Sequence, residues 1–142
     1  MILQIFDIDG TLAKDDSDDA LLVSCYPNVL SRIKSLDLTR NRLIFLTARP
    51  QECHFETHIW LVTQLEHDNF GLYCRSILYP RISDIARYKL DKIRELIALY
   101  SPEEVHFYDD DSGNLWTVHR SLLPTVWLYR AFGGELLSFG DK

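Results

Sequence analysis

The chain has little of what would mark a membrane span, a disulfide scaffold or a broad nucleic-acid face. No apolar run approaches the roughly 18 residues that a spanning helix needs, so no membrane partner is expected. Cysteine is scarce: Cys25, Cys53 and Cys74 are odd in number, widely spaced, and form neither a CxxC pair nor a zinc spacing. They read as reduced thiols in a cytoplasmic protein. The first residues enter strand-like sequence at once, which predicts no signal peptide. Positive charge is not in excess. The formal net charge of −6 argues against a continuous basic surface for nucleic acid, while leaving room for a local basic groove. Repeats, low-complexity tracts and evident linkers are also missing. What is there is an ordinary globular composition, 46% apolar and 25% charged over 142 residues. That length predicts one domain, residues 1–142, large enough for a real core.

Apolar strand-like runs alternate with helical patterns, the signature of βαβ units and an α/β fold with a mostly parallel sheet. Ile2 to Ile8 reads as the first strand, Leu43 to Leu46 as the second, Leu72 to Tyr79 as the third, Val105 to Tyr108 as the fourth and Thr125 to Tyr129 as the last. Leu43 to Leu46 is apolar throughout, as expected when both faces of a sheet are covered. Helical periodicity falls in residues 28–36, 51–66 and 84–99. "SPEE", from Ser101, reads as a capping-box start ahead of the fourth strand. The glycine-containing tail has no assignment.

The polar residues fall at strand ends. Asp7 and Asp9 close the first strand, Thr47 the second, and Asp109 and Asp110 the fourth. In an open parallel sheet, ligands bind at the carboxyl ends of strands. Asp7 and Asp9, at i and i+2, share a strand face and repel one another unless a cation or proton intervenes. An all-oxygen set of this kind suits Mg²⁺. With a phosphate ester bound, one carboxylate can attack phosphorus and the other protonate the leaving oxygen. Gly10 permits a tight turn after the strand. Thr11 can donate to the nucleophile loop or to a phosphate, Thr47 can hold a phosphoryl oxygen, and a lysine would neutralise transition-state charge.

Four segments in order, "DIDGT", "IFLTARP", "YKLDKIRELI" and "VHFYDDD", resemble the four motifs of the haloacid dehalogenase (HAD) superfamily. They span residues 5–111. The resemblance implies a Rossmann-like three-layer sandwich and a Mg²⁺-dependent phosphatase acting through an aspartyl-phosphate. On it, Asp7 is the nucleophile and Asp9 the general acid and base. Thr11, Thr47, Arg49 and Lys89 serve the phosphate, with Lys89 preferred over Lys92. Asp7, Asp109, Asp110 and the backbone carbonyl of Asp9 hold the metal. Members that cleave carbon–halogen bonds lack an acid at the Asp9 position, so phosphate chemistry is implied.

Neither Thr11 to Thr47 nor Thr47 to Lys89 has room for a full cap domain, so the site should be open to large phosphorylated partners. "LTARP … YKLDKIREL … FYDDD" resembles the phosphatase domains of polynucleotide kinase–phosphatases and RNA-repair proteins, with Asp111 where those carry arginine. That implies action on nucleic-acid ends. The alternatives are a small-metabolite or nucleotide phosphatase, and an inactive binding module on the same scaffold. Other features have plainer readings. Asp15, Asp16, Asp18 and Asp19 form a solvated flap, Asp111 caps a helix, and Trp60, Trp116 and Trp127 are packing residues. His54 and His58 are a surface pair. Arg81, Arg87, Lys89, Lys92 and Arg94 are either a solvated helix face or a track for a phosphate backbone.

Overall fold

The computed structural model describes residues 1–140. Six strands join one sheet: β1 (Ile2–Phe6), β2 (Asn41–Pro50), β3 (Gly71–Arg75), β4 (Glu104–Asp109), β5 (Val126–Phe132) and β6 (Glu135–Phe139). Their order is β3-β2-β1-β4-β5-β6, parallel except for β6. The helices are α1 (Pro27–Lys34), α2 (His54–Leu65), α3 (Ile85–Tyr100) and α4 (Ser112–Arg120). The architecture is α/β, compatible with a Rossmann-like three-layer arrangement.

Strand alternation builds two cores. Leu3, Ile5, Ile44, Leu46, Val105 and Phe107 point to one face and pack against Tyr88, Ile93 and Leu96 of α3 and Leu115 and Val118 of α4. Phe6, Leu43, Phe45 and Tyr108 point to the other, against Val29 and Ile33 of α1 and Trp60, Leu61 and Leu65 of α2. Burial on both faces explains why the central strands are nearly continuous in apolar residues. On the second face, Phe6, Tyr108 and Tyr129 stack across three adjacent strands at 4.1 and 4.5 Å. The guanidinium of Arg32 lies over Tyr108 at 5.4 Å.

Several elements end elsewhere than the sequence pattern indicates. β2 runs on through Thr47 to Pro50, and β3 stops at Arg75 instead of reaching Tyr79. Short 3₁₀ turns, Gln51–Cys53 and Ile82–Asp84, precede α2 and α3. Ser101 starts no helix. It ends α3 in the left-handed region (φ 46°), its N–H donating to the Ile97 carbonyl, and the chain then enters β4. The tail, left unassigned above, completes the hairpin β5–β6 across Gly133 and Gly134. Both have positive φ, 57° and 89°, as a two-residue hairpin turn requires. Trp60 is buried, its indole N–H donating to the Val23 carbonyl at 3.1 Å. Trp127 stacks on His106, whereas Trp116 meets Phe139 edge-on and stays 43% exposed.

Candidate functional site at the carboxyl edge of the sheet

The Asp7 N–H donates to the Tyr108 carbonyl at 2.9 Å, which fixes the end of β1 beside β4. The chain then turns sharply. The Ile8 carbonyl accepts from the N–H groups of Thr11, Leu12 and Ala13, and Gly10 takes φ 85°. This turn carries the Thr11 hydroxyl back to Asp7, where it donates to Oδ2 at 3.0 Å. Thr11 therefore serves the Asp7 carboxylate directly, the nucleophile-loop alternative of the two expected for its hydroxyl.

Lys89 reaches the same point from the first turns of α3. It is 2% exposed, and its Nζ donates to Asp7 Oδ1 at 2.8 Å and Asp109 Oδ2 at 2.6 Å. Lys92 instead pairs with Glu95 and lies over the Tyr73 ring, away from the carboxylates. Asp109 is fully committed. Its Oδ1 accepts from the Asp111 N–H and its Oδ2 also accepts from Asn114 Nδ2. Asp111 caps α4 by accepting from the Asn114 N–H at 3.1 Å. Asp110, half-buried, turns its carboxylate across Gly10.

Asp7, Asp109 and Asp110 each bring a carboxylate oxygen within 4.8 Å of the others, the one such group among the described residues able to hold a metal ion. The ammonium of Lys89 is shared by the buried carboxylates of Asp7 and Asp109, with the half-buried Asp110 beside them. Burial pushes the Asp7 carboxyl well above the usual carboxylate range, and the Asp109 charge adds to this against the pull of Lys89. Burial, with the Asp109 charge behind it, also raises Asp110. Burial alone would depress Lys89, but Asp7 and Asp109 outweigh it and hold the ammonium above its ordinary value. This excess of buried negative charge suits a hard cation with oxygen ligands. Asp7, Asp109 and Asp110 each offer it a carboxylate oxygen, with Asp109 also anchoring Lys89 and α4.

Thr47 is buried within β2, three residues before its end, its Oγ1 accepting from the Arg49 N–H at 3.1 Å. Asp9 departs from expectation. Its side chain is 59% exposed and turned away from the acidic cluster, with both oxygens on Arg49: Nε to Oδ2 at 2.9 Å and Nη2 to Oδ1 at 2.7 Å. Thr57, a residue the motifs do not include, accepts from Arg49 Nη1 at 3.2 Å. Asn114, which donates Nδ2 to Asp109 Oδ2 at 3.2 Å, also lies outside the motif readings, and only the Asp111 cap before it is a visible helix-start signal. A cleft of about 530 Å³ opens beside the cluster, with Asp9, Asp15, Asp18, Glu56 and Asp110 against Lys14 and Arg49.

The remaining candidates do not assemble. His54 and His58 stack at 6.4 Å with no third ligand among the described residues. Of the basic run, Lys89 is buried in the acidic cluster, while Arg81 pairs with Asp84 and Lys92 with Glu95. The three cysteines are free thiols. Among the described residues, no helix is long and apolar enough to cross a membrane.

Gly10 gives a direct prediction. A Cβ there would fall 2.1 Å from Asp110 Oδ2, on a backbone that L-residues rarely adopt. Gly10→Ala should displace Asp110 and weaken divalent-cation binding by about tenfold or more, read by calorimetry, with the secondary structure unchanged.

Compared with known proteins, the chain matches no family model and no curated sequence.

Proposed function

We propose that this chain is a Mg²⁺-dependent phosphomonoesterase of the HAD type, working through an aspartyl-phosphate on Asp7. The observation that carries this reading is the Asp7 carboxylate itself. It is buried at the end of β1, gripped by Thr11 and Lys89, and faces Asp109 and Asp110. The order of the four motif-like segments supports the same reading.

Asp7, Asp110 and Asp109 would hold the cation, which when bound screens phosphoryl negative charge. The protein's own groups do the rest. An Asp7 oxygen forms a bond to phosphorus as the bond from phosphorus to the ester oxygen breaks. Asp9, once it has left Arg49 and taken up a proton from solvent, gives that proton to the departing oxygen. A water then attacks phosphorus, giving its proton to Asp9, and orthophosphate leaves as the Asp7 carboxylate is restored. Lys89 holds Asp7 oriented and offsets charge near the transferring group. Asp9 must leave Arg49 to serve, because both its oxygens are engaged there.

The acidic lining of the cleft favours a small phosphate ester over a nucleic-acid end, since a polyanionic backbone would be repelled there. The open edge keeps a phosphorylated oligonucleotide as a second reading. Aryl phosphate, a mononucleotide and 3′- or 5′-phosphorylated oligonucleotides should be assayed with Mg²⁺ and with chelator. Hydrolysis should require the cation and be greatest for the small esters. The Mg²⁺ concentration for half activity should rise as pH falls, because protons compete for carboxyls whose affinity burial has raised. No turnover of any phosphate under these conditions would favour an inactive binding module instead.

A further inference from the structure

The ion pair between Asp9 and Arg49 has one fixed member and one loose one. Arg49 is fixed: its side chain is 12% exposed, Thr57 accepts from Nη1, and the Trp60 ring lies 5.9 Å from the guanidinium. Its backbone N–H is tied to Thr47. Asp9 is loose, largely in solvent and anchored through the guanidinium fork. The pair borders the cleft beside the acidic cluster.

A carboxylate and a phosphate present the same two-oxygen edge to a guanidinium fork. We infer that Arg49 is an anion seat occupied in the free protein by Asp9, and that an arriving phosphate takes the seat and releases the Asp9 carboxylate, which takes up a proton from solvent, toward the leaving group. Thr57 is the positioning residue that keeps the fork aimed. The inference rests on the phosphoester reading above. It adds a coupling that the four motifs do not contain: the event that binds the phosphate also frees the residue that must transfer the proton. Asp9 is open to solvent, so a dianion presenting the same two-oxygen edge can compete with it for the fork. Lysine at position 49 would keep the charge and lose the fork.

Calorimetric titration of inorganic phosphate, with Mg²⁺ present, tests the exchange in wild type, Asp9→Asn, Arg49→Lys, the double variant and Thr57→Val. Thermal melts check that each is folded. Asp9→Asn should bind phosphate about fivefold tighter, because the competitor for the seat is gone. Arg49→Lys should weaken binding on the order of tenfold. In the Arg49→Lys background, Asp9→Asn should change affinity by less than about twofold. Thr57→Val should also weaken phosphate binding without altering any charge. An equal gain from Asp9→Asn with either residue at position 49 would mean simple charge repulsion and overturn the exchange, as would no gain at all. If wild type binds no phosphate, the phosphoester reading falls too. If it binds phosphate but the cycle is flat, only the exchange falls.

Discussion

Asp7→Asn should abolish phosphate-ester hydrolysis while leaving the protein folded. Asparagine keeps the shape of the side chain, with one oxygen to accept from Lys89 and an amide N–H to donate to the Thr11 hydroxyl, but it has no carboxylate to attack phosphorus. Removing a nucleophile costs at least about a thousandfold in kcat when the rest of the site is intact. The loss should appear with every substrate, the easily cleaved aryl phosphates included, because the attacking atom is gone whatever the leaving group. Stability should move the other way. Burial raises the Asp7 carboxyl far above its ordinary 3.8, so its ionised form is a cost to the metal-free fold. Its contribution is fully present below 3.8 and is lost as pH rises through the higher folded value. Metal-free Asp7→Asn should therefore melt at or above wild type at neutral pH, and the difference should vanish as the solution is acidified. Thermal melts in chelator across that range, alongside steady-state kinetics in Mg²⁺, check both halves.

Lys89→Met should be the most destabilising single change at the site. Methionine fills a similar volume but leaves Asp7 and Asp109 facing each other with no cation, each still buried. Breaking a buried ion pair by removing one partner costs about 3–5 kcal/mol. For a domain of this size that is a fall in Tm of roughly 10–20 °C. The sign with pH is fixed by the same groups. The Lys89 contribution is fully present below 10.5 and is lost only as pH rises through its still higher folded value, so wild type keeps it at neutrality. The variant should recover as pH falls and the orphaned carboxyls take up protons. Lys89→Met with Asp109→Asn should regain part of the loss at neutral pH. Lys92→Met is the control: its partner Glu95 is exposed, and the change should cost no more than about 1 kcal/mol.

The positions of Asp7, Thr47, Asp109 and Asp110 were legible because parallel strands deliver their carboxyl ends to one edge, and that of Lys89 from the start of the helical pattern of α3. Side-chain commitment was not. Asp9 lies two residues from Asp7 on the same strand end, yet it turns to an arginine 40 residues away. No local rule specifies that choice, which depends on how Thr57 and Trp60 of α2 set the guanidinium. Likewise, Asp109 and Asp110 are adjacent and chemically identical in sequence. Only the approach of Lys89 and Asn114 commits Asp109, and only the bare Cα of Gly10 makes space for Asp110. The Gly133–Gly134 hairpin was readable in principle from the paired glycines between strand-like segments. Ser101 misled because serine before proline and glutamates suits a helix start, whereas here the preceding helix had to end and feed β4.

The claim on which the account stands is that an Asp7 oxygen becomes bonded to phosphorus. The direct measurement is borohydride trapping during turnover, with Asp9→Asn used to slow the second step, followed by peptide mass spectrometry. Reduction of an aspartyl-phosphate converts that aspartate to homoserine. The account predicts homoserine at position 7 and nowhere else, dependent on substrate and Mg²⁺. Phosphate release with residue 7 unmodified, or with the label on another carboxylate, would contradict it.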